Sequence, residues 1–243
     1  LRSFDNRMPE EINRIVTDRL SDYLFVTEDA GMVNLRNEGT AEEKMFYTGN
    51  IMIDSLVNHL EAARKSSVLE DLSLEPGSYI AMTMHRPSNV DDRETLAGLM
   101  ECIVDISEKI PVVFPCHPRT AGRLKEYGIL DGSRPKNLRI EEPLGYLDFL
   151  RLQAESRIVL TDSGGAQVET TYLGIPCVTM RDTTELVATI EIGTNILCGS
   201  DPQKICAAVD DILAGSRGEG RIPELWDGAT SGRIVDVLRQ MLL

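Results

Sequence analysis

Short apolar runs alternate with amphipathic stretches along most of the chain. The runs fall at residues 23–27, 45–48, 79–84, 112–114, 137–140, 158–160, 175–180 and 194–198. Each has the length of a strand and is bounded by polar or Gly/Pro-bearing segments. Between them apolar residues return at helical spacing, as at Ile53, Leu56, Val57 and Leu60, at Leu96, Leu99, Met100, Ile103 and Val104, and at Ile205, Ala208, Val209 and Ile212. Strand and helix in alternation predict an α/β fold with a parallel sheet covered on both faces.

Start and stop signals refine this pattern. Pro9 suits the first position of a helix and Glu10 and Glu11 suit its positive end, with Ile12, Ile15 and Val16 as its apolar stripe. On the residues alone, the two glutamates read as ordinary helix-start charge. Further helices are predicted over 28–36, 51–65 and 229–243. Asp91, with Glu94 three residues on, makes a capping box for the next helix, and Asp201-Pro202 opens another. Residues 66–77 carry Pro76-Gly77 and read as a linker, and residues 215–220 read as a flexible break. The chain divides into a unit at 1–66, a Rossmann-like unit at 67–224 and a terminal helical segment at 225–243.

Polar loops follow the strands of the larger unit: His85-Arg86, His117-Pro118-Arg119, Asp162 to Gly165, and Arg181 to Glu185. In an open α/β sheet, ligands bind beyond the carboxyl ends of the strands, which puts these loops in one crevice. The stretch from Arg157 to Glu169 is the most informative. It reads as a buried strand, a small polar turn (Thr161-Asp162-Ser163-Gly164-Gly165) and the first turns of a helix. Glycines there admit a ligand close to the backbone, and the amides and dipole of a helix start suit an anion such as phosphate. Any α/β protein carries glycine-bearing turns, so this motif gains weight only from its neighbours. Glu169 can accept hydrogen bonds from sugar hydroxyls. His85 and His117 each have an arginine within two residues. Imidazole moves protons near neutral pH, and Arg86 and Arg119 can grip phosphate or carboxylate with forked donors. His59 lies inside a helix and reads as solvated.

Composition narrows the chemistry. With 243 residues, 42% of them hydrophobic, the chain can bury a sizeable core. No apolar run reaches membrane-spanning length, and the first residues do not form a signal peptide. A net charge of −14 without a basic patch argues against a nucleic-acid partner. Cys102, Cys116, Cys177, Cys198 and Cys206 are odd in number and scattered, mostly in apolar runs. They read as buried thiols of a reducing cytoplasm rather than a disulfide framework or a metal site. There is no C-x-x-C pair, H-E-x-x-H, G-x-S-x-G elbow or G-K-[ST] loop, which argues against a metal centre and a nucleotide hydrolase.

Several linked motifs then stand in order over essentially the whole chain. They are Met8-Pro9-Glu10-Glu11 with Asn13-Arg14, Tyr47-Thr48-Gly49-Asn50 with Ile53-Asp54, and Glu142-Pro143-Leu144 with Tyr146-Leu147-Asp148-Phe149-Leu150. Thr161 to Gly165 with Gln167 and Glu169 follows, then Met180-Arg181-Asp182-Thr183-Thr184-Glu185. The set resembles the non-hydrolysing UDP-N-acetylglucosamine 2-epimerases. The resemblance implies a glycosyltransferase-B-like fold of two Rossmann-like domains with the active site in the cleft. Residues 67–224 would be its C-terminal, UDP-binding domain and residues 1–66 a remnant of the N-terminal one. It implies conversion of UDP-GlcNAc to UDP-ManNAc through elimination of UDP and re-addition to a 2-acetamidoglucal. It further implies no cofactor, no metal, no membrane, a cytoplasmic homodimer, and a place in cell-surface polysaccharide biosynthesis. Mapped onto this sequence, Ser163, Gly164 and Gly165 hold phosphate and Glu169 the ribose hydroxyls, with Arg86 and Leu144 as further UDP contacts. His85 is the active-site histidine near the diphosphate, and Glu10 is a catalytic carboxylate suited to proton transfer with the sugar. Arg86 and His117 match positions that some bacterial members use for a second, activating UDP-GlcNAc.

The chain also departs from the family pattern. It starts after the segment that carries one catalytic glutamate and, further upstream, a catalytic aspartate, so the expectation is impaired turnover by this chain alone. A UDP-sugar-binding chain without catalysis and a glycosyltransferase of the same fold remain the alternatives. Glu185-Leu186-Val187 stands where the family usually has Glu-Arg-Pro, which removes one cationic contact from the cleft. Val168 replaces a second glutamate found in many members and is expected to face the core.

Overall fold

The computed structural model describes residues 1–129, 135–216, 218 and 220–242. The chain begins with α1 (Pro9–Leu20), β1 (Leu24–Val26), α2 (Asp29–Asn37), β2 (Met45–Tyr47) and α3 (Ile51–Ala63). A short α4 (Val68–Asp71) leads to β3 (Ile80–Thr83), a one-turn α5 (Pro87–Val90) and α6 (Arg93–Lys109). The series continues through β4 (Val112–Pro115), α7 (Pro118–Glu126), β5 (Leu138–Glu141), α8 (Tyr146–Ala154), β6 (Ile158–Thr161) and α9 (Gly164–Leu173). β7 (Cys177–Thr179), α10 (Val187–Glu191), β8 (Asn195–Leu197), α11 (Pro202–Leu213) and α12 (Thr230–Leu242) complete it.

β1 and β2 pair in parallel. The other six strands form one parallel sheet in the order β5-β4-β3-β6-β7-β8, the doubly wound order of Rossmann folds. Alternation along β3 shows how it is covered. Ile80, Met82 and Met84 face a core built with Leu96, Leu99 and Ile103 of α6 and Ile205 and Val209 of α11. Tyr79 and Ala81 face the opposite layer, with Val68, Leu69 and Leu152. Both faces are thus dry, which is why β4 and β6 are buried throughout and apolar up to Thr161 at the end of β6. Each such aliphatic side chain contributes about 1.5–3 kcal/mol by leaving water. The expected α/β fold with a Rossmann-like sheet is therefore present, with every strand falling on or within a residue of its apolar run.

Three local expectations change. Residues 66–77 are not a solvated linker, because Val68 and Leu69 are buried against Tyr79 and Leu152 and form α4. The cap of α6 is Asp92, whose side chain accepts from the Thr95 amide at 2.8 Å, rather than Asp91. The one-turn α5 ends at Asp91 and shifts the start of α6, freeing Asp91 to pair with Arg119 and Arg123. In α1, Ile12 and Val16 are 45% and 50% exposed, and the buried residue is Glu11. Its carboxylate accepts from the Ser3 amide and hydroxyl, the Phe4 amide and Arg14, and this polar knot turns the helix inward in place of the apolar stripe. Val168 is fully buried, as expected. Of the predicted break at 215–220, residues 217 and 219 lie outside the described residues, as does Leu243 of the terminal helix.

The C-terminal segment returns to the N-terminal unit. Trp226 is buried with Ile53 and Leu56 of α3, and its indole Nε1 donates to the Thr27 carbonyl at 2.9 Å. Asp54 accepts from the Thr230 and Ser231 amides at 3.0 and 2.7 Å and so caps α12 from another helix. Among the described residues, no helix is long and apolar enough to cross a membrane.

Candidate nucleotide site at the sheet switch point

β3 and β6 are neighbours, and the chain leaves them in opposite directions, so their carboxyl ends open a crevice at the switch point. The loop after β3 brings His85 and Arg86, and the turn after β6 brings Asp162 to Gly165. Asp162 is fully buried and joins the two. Its carboxylate accepts from the His85 amide at 2.9 Å, the Arg86 amide at 2.8 Å and Asn89 Nδ2 at 3.1 Å. Asn89 also donates to the Met180 carbonyl at 2.9 Å, which ties in the end of β7. Burial, then the nearby Arg181, lowers the pKa of the Arg86 guanidinium, whose Nε donates to the Asp162 carbonyl at 2.8 Å.

Ser163 stands at the N-terminus of α9 and makes no side-chain cap bond there. The first-turn amides of Gly164, Gly165 and Ala166 are thus left without a capping side chain. Neither glycine needs a positive φ. A Cβ on Gly164 would meet Leu186 at 3.6 Å and Glu185 at 3.7 Å, ordinary contact distances, so the protein itself has room for one. What the glycines keep open is the approach to the amides.

Arg181 lies beside this turn, 6% exposed, with one guanidinium nitrogen donating to Glu185 at 2.8 Å and the other, Nη1, buried without a hydrogen-bond partner. That Nη1 is 4.0 Å from where a Gly164 Cβ would sit. Burial alone would raise the Glu185 carboxyl, but Arg181 and Arg14 outweigh it and hold it below the usual range. Leu186 is buried in the apolar cluster around α3.

Glu169 lies further along α9, 9% exposed. It accepts from Tyr146 Oη at 3.1 Å and from Gln153 Nε2 at 2.9 Å, and burial raises it above the ordinary carboxylate range. Tyr146 is pushed up to about 12 by burial and by Glu169. Its ring meets His59 edge-on at 5.6 Å, and that histidine is exposed as expected. Leu144 is half-buried at the entry to α8 and packs on the cluster beneath the sheet. The ring of His117 lies 5.6 Å from that of His85. His117 Nδ1 accepts from the Arg119 amide, capping α7. Arg119 points away to Asp91 and is not part of the crevice. Glu10 is exposed on the first turn of α1, and its charge is felt at Arg86.

The structure thus gathers Arg86, Ser163, Gly164 and Gly165 at one point, sets the His85/His117 pair beside them, and places Glu169 and Leu144 towards α8. Sequence reasoning passed over Asp162, Arg181, Tyr146 and Gln153 as site residues. Arg181 and Asp162 sat inside polar loops already marked, whereas nothing local pointed to Tyr146 or Gln153. Among the described residues, no group of three His, Cys, Asp or Glu side chains is placed to hold a metal ion.

A doubly wound sheet with an uncapped helix start and buried arginine at its switch point is a nucleotide-binding architecture. Residues 1–239 match the UDP-N-acetylglucosamine 2-epimerase family model, and the chain belongs to that family. The UDP-N-acetylglucosamine 2-epimerase of Methanocaldococcus jannaschii is 40% identical, over 98% of this chain and 66% of its own length. The crystal structure of that organism's enzyme in complex with UDP-GlcNAc and UDP superposes with a TM-score of 0.89, covering 99% of this chain and 67% of the other. The UDP-2,3-diacetamido-2,3-dideoxy-D-glucuronate 2-epimerase of Pseudomonas aeruginosa is 37% identical, over 99% of this chain and 66% of its own length. The chain therefore spans about two thirds of the length of these relatives, and its fold is the glycosyltransferase-B-like one of the family.

Proposed function

We propose that this chain binds a UDP-sugar at the β3–β6 switch point and serves a UDP-N-acetylglucosamine 2-epimerase that interconverts UDP-GlcNAc and UDP-ManNAc. The observation that carries the reading is the start of α9. Its first-turn amides lack a capping side chain, and the unpaired Nη1 of Arg181 lies beside them. Both direct positive potential at one place, which suits a diphosphate. In this reading Ser163, Gly164 and Gly165 hold the phosphates, with Arg86 beside them. Glu169, oriented by Tyr146 and Gln153, takes the ribose hydroxyls, and Leu144 adds an apolar contact. The sugar loses UDP from C1 and a proton from C2, and both return to the 2-acetamidoglucal with the C2 configuration inverted. Glu10 exchanges a proton with the sugar, and His85 acts beside the diphosphate. Arg86 and His117 serve a second, activating UDP-GlcNAc, a role supported by the proximity of the His85 and His117 rings. The protein works in the cytoplasm as a homodimer without nucleic acid, the last supported by its charge of −14.

The relative named for a diacetamido-glucuronate sugar, at 37% identity, favours a second substrate within the same class. Titration with UDP followed by NMR of mixtures with each UDP-sugar tests both. Saturable UDP binding with UDP-ManNAc product supports the first. Product from the diacetamido sugar alone moves the specificity to the second. Absence of UDP binding overturns the site.

A further inference from the structure

α6 and α11 lie side by side against one face of the larger sheet. They bring together two cysteines 104 residues apart, with Cys102 Sγ 2.8 Å from Cys206 Sγ. That is closer than two unbonded sulfurs normally rest. Cys102 is 4% exposed and its Sγ also lies 3.3 Å from the Pro202 carbonyl. Cys206 is only half-buried and gives the pair a route to solvent. The other three cysteines are buried, and none of the five belongs to the nucleotide site. Helix packing thus joins two thiols that stand far apart in sequence.

We propose that Cys102 and Cys206 form a reversible disulfide that staples α6 to α11, with a small-molecule disulfide of the glutathione class as oxidant. The Cys206 thiolate attacks one sulfur of the oxidant, the oxidant's S–S bond breaks and one thiolate leaves. Cys102 then loses its proton and attacks Cys206 Sγ in the mixed disulfide, and the second small thiolate leaves. The two protein thiols give up two electrons and two protons, and the oxidant becomes two thiols. Burial and the neighbouring Cys206 raise the Cys102 thiol, so attack begins at the accessible Cys206. α6 follows the first strand of the larger sheet and α11 follows the last, so the bond joins the two ends of its βα series and closes a long loop. Loop closure restricts the unfolded chain and stabilises the fold.

The test treats the full chain with oxidised glutathione and maps its disulfides by non-reducing mass spectrometry. A mass loss of about 2 Da is expected, with one linked peptide pair containing Cys102 and Cys206. The melting temperature should rise by about 5–10 °C and fall back with dithiothreitol. Cys206→Ser and Cys102→Ala should each abolish link and shift, while Cys116→Ser keeps both. The wild-type peptide map decides the question even where a variant folds poorly. Two reduced thiols after treatment, or a lasting glutathione adduct on Cys206, would overturn the proposal. A Cys102–Cys206 link with an unchanged melting temperature would overturn the staple.

Discussion

Arg86 donates two hydrogen bonds to Asp162: its amide to the carboxylate at 2.8 Å, and its Nε to the backbone carbonyl at 2.8 Å. The loop after β3 is thereby fastened to the turn after β6 at the one place where the sheet reverses its winding. A buried carboxylate with three nitrogen donors is costly to change, because each donor loses its partner in a place water does not reach.

Asp162→Asn keeps the shape but offers those donors an amide in place of a carboxylate. The expected loss is about 2–4 kcal/mol of stability, seen as a lower melting temperature. UDP affinity should fall with it, because His85 and Arg86 lose their anchor. Calorimetry and UDP titration check both effects.

Gly164→Ala separates folding from binding. The added methyl meets only ordinary contacts within the protein, so the melting temperature should stay within about 2 °C. The same methyl narrows the approach to the α9 amides, and UDP affinity should drop by about tenfold or more. An unchanged affinity would place the diphosphate elsewhere.

Tyr146→Phe removes one of the two donors that orient Glu169. Uridine nucleotides carrying the ribose 2′-hydroxyl should bind more weakly by about 1 kcal/mol, and 2′-deoxy-UDP should be affected less. A double-mutant comparison with Glu169→Gln measures the coupling.

Glu28 predicts a pH effect. It is 1% exposed, accepts from the Ala188 amide, leaves Oε2 without a partner, and is pushed up to about 7, chiefly by burial. Folding therefore favours its protonated form. That contribution is fully present below the unfolded value of 4.5 and is lost as pH rises through 7. Glu28→Gln should gain on the wild type across this window by roughly 3 kcal/mol, with little difference at its acid end. Parallel denaturant titrations at several pH values measure the gap, and a gap that does not grow with pH refutes the assignment.

Asp54→Ala removes the cap that α3 lends to α12. Burial alone would raise the Asp54 carboxyl, but the Ser231 and Thr230 amides outweigh it and hold it low. The expected cost is about 1–2 kcal/mol, with faster amide exchange confined to the first turn of α12.

The sheet was legible in the sequence because both its faces are dry. Runs such as the one from Ile158 to Leu160 had to be apolar throughout, and the polar turn after each run marked its carboxyl end. The start of α6 was harder to place. Asp91 and Asp92 both suit a cap, and only the one-turn α5 decides between them. The face of α1 was misread because a buried carboxylate bonded to Ser3 and Phe4 has no periodic signature. Around the crevice, Ser163 to Gly165 were visible as a local motif. Tyr146 and Gln153 were not, since their tie to Glu169 spans 23 and 16 residues and exists only once α8 lies against α9. Cys102 and Cys206 were hidden for the same reason.

The bond from the Trp226 indole to the Thr27 carbonyl has a consequence for synthesis. The ribosome makes Thr27 199 residues before the tryptophan that seals it. Until that tryptophan emerges, the end of β1 keeps an open carbonyl, and the floor of α3 beneath Ile53 and Leu56 stays wet. The nascent molecule must hold this corner unfinished while the intervening residues are made, so a truncation shortly before residue 226 would release a product with an intact larger sheet and a loose segment from β1 to α3 for proteases to find.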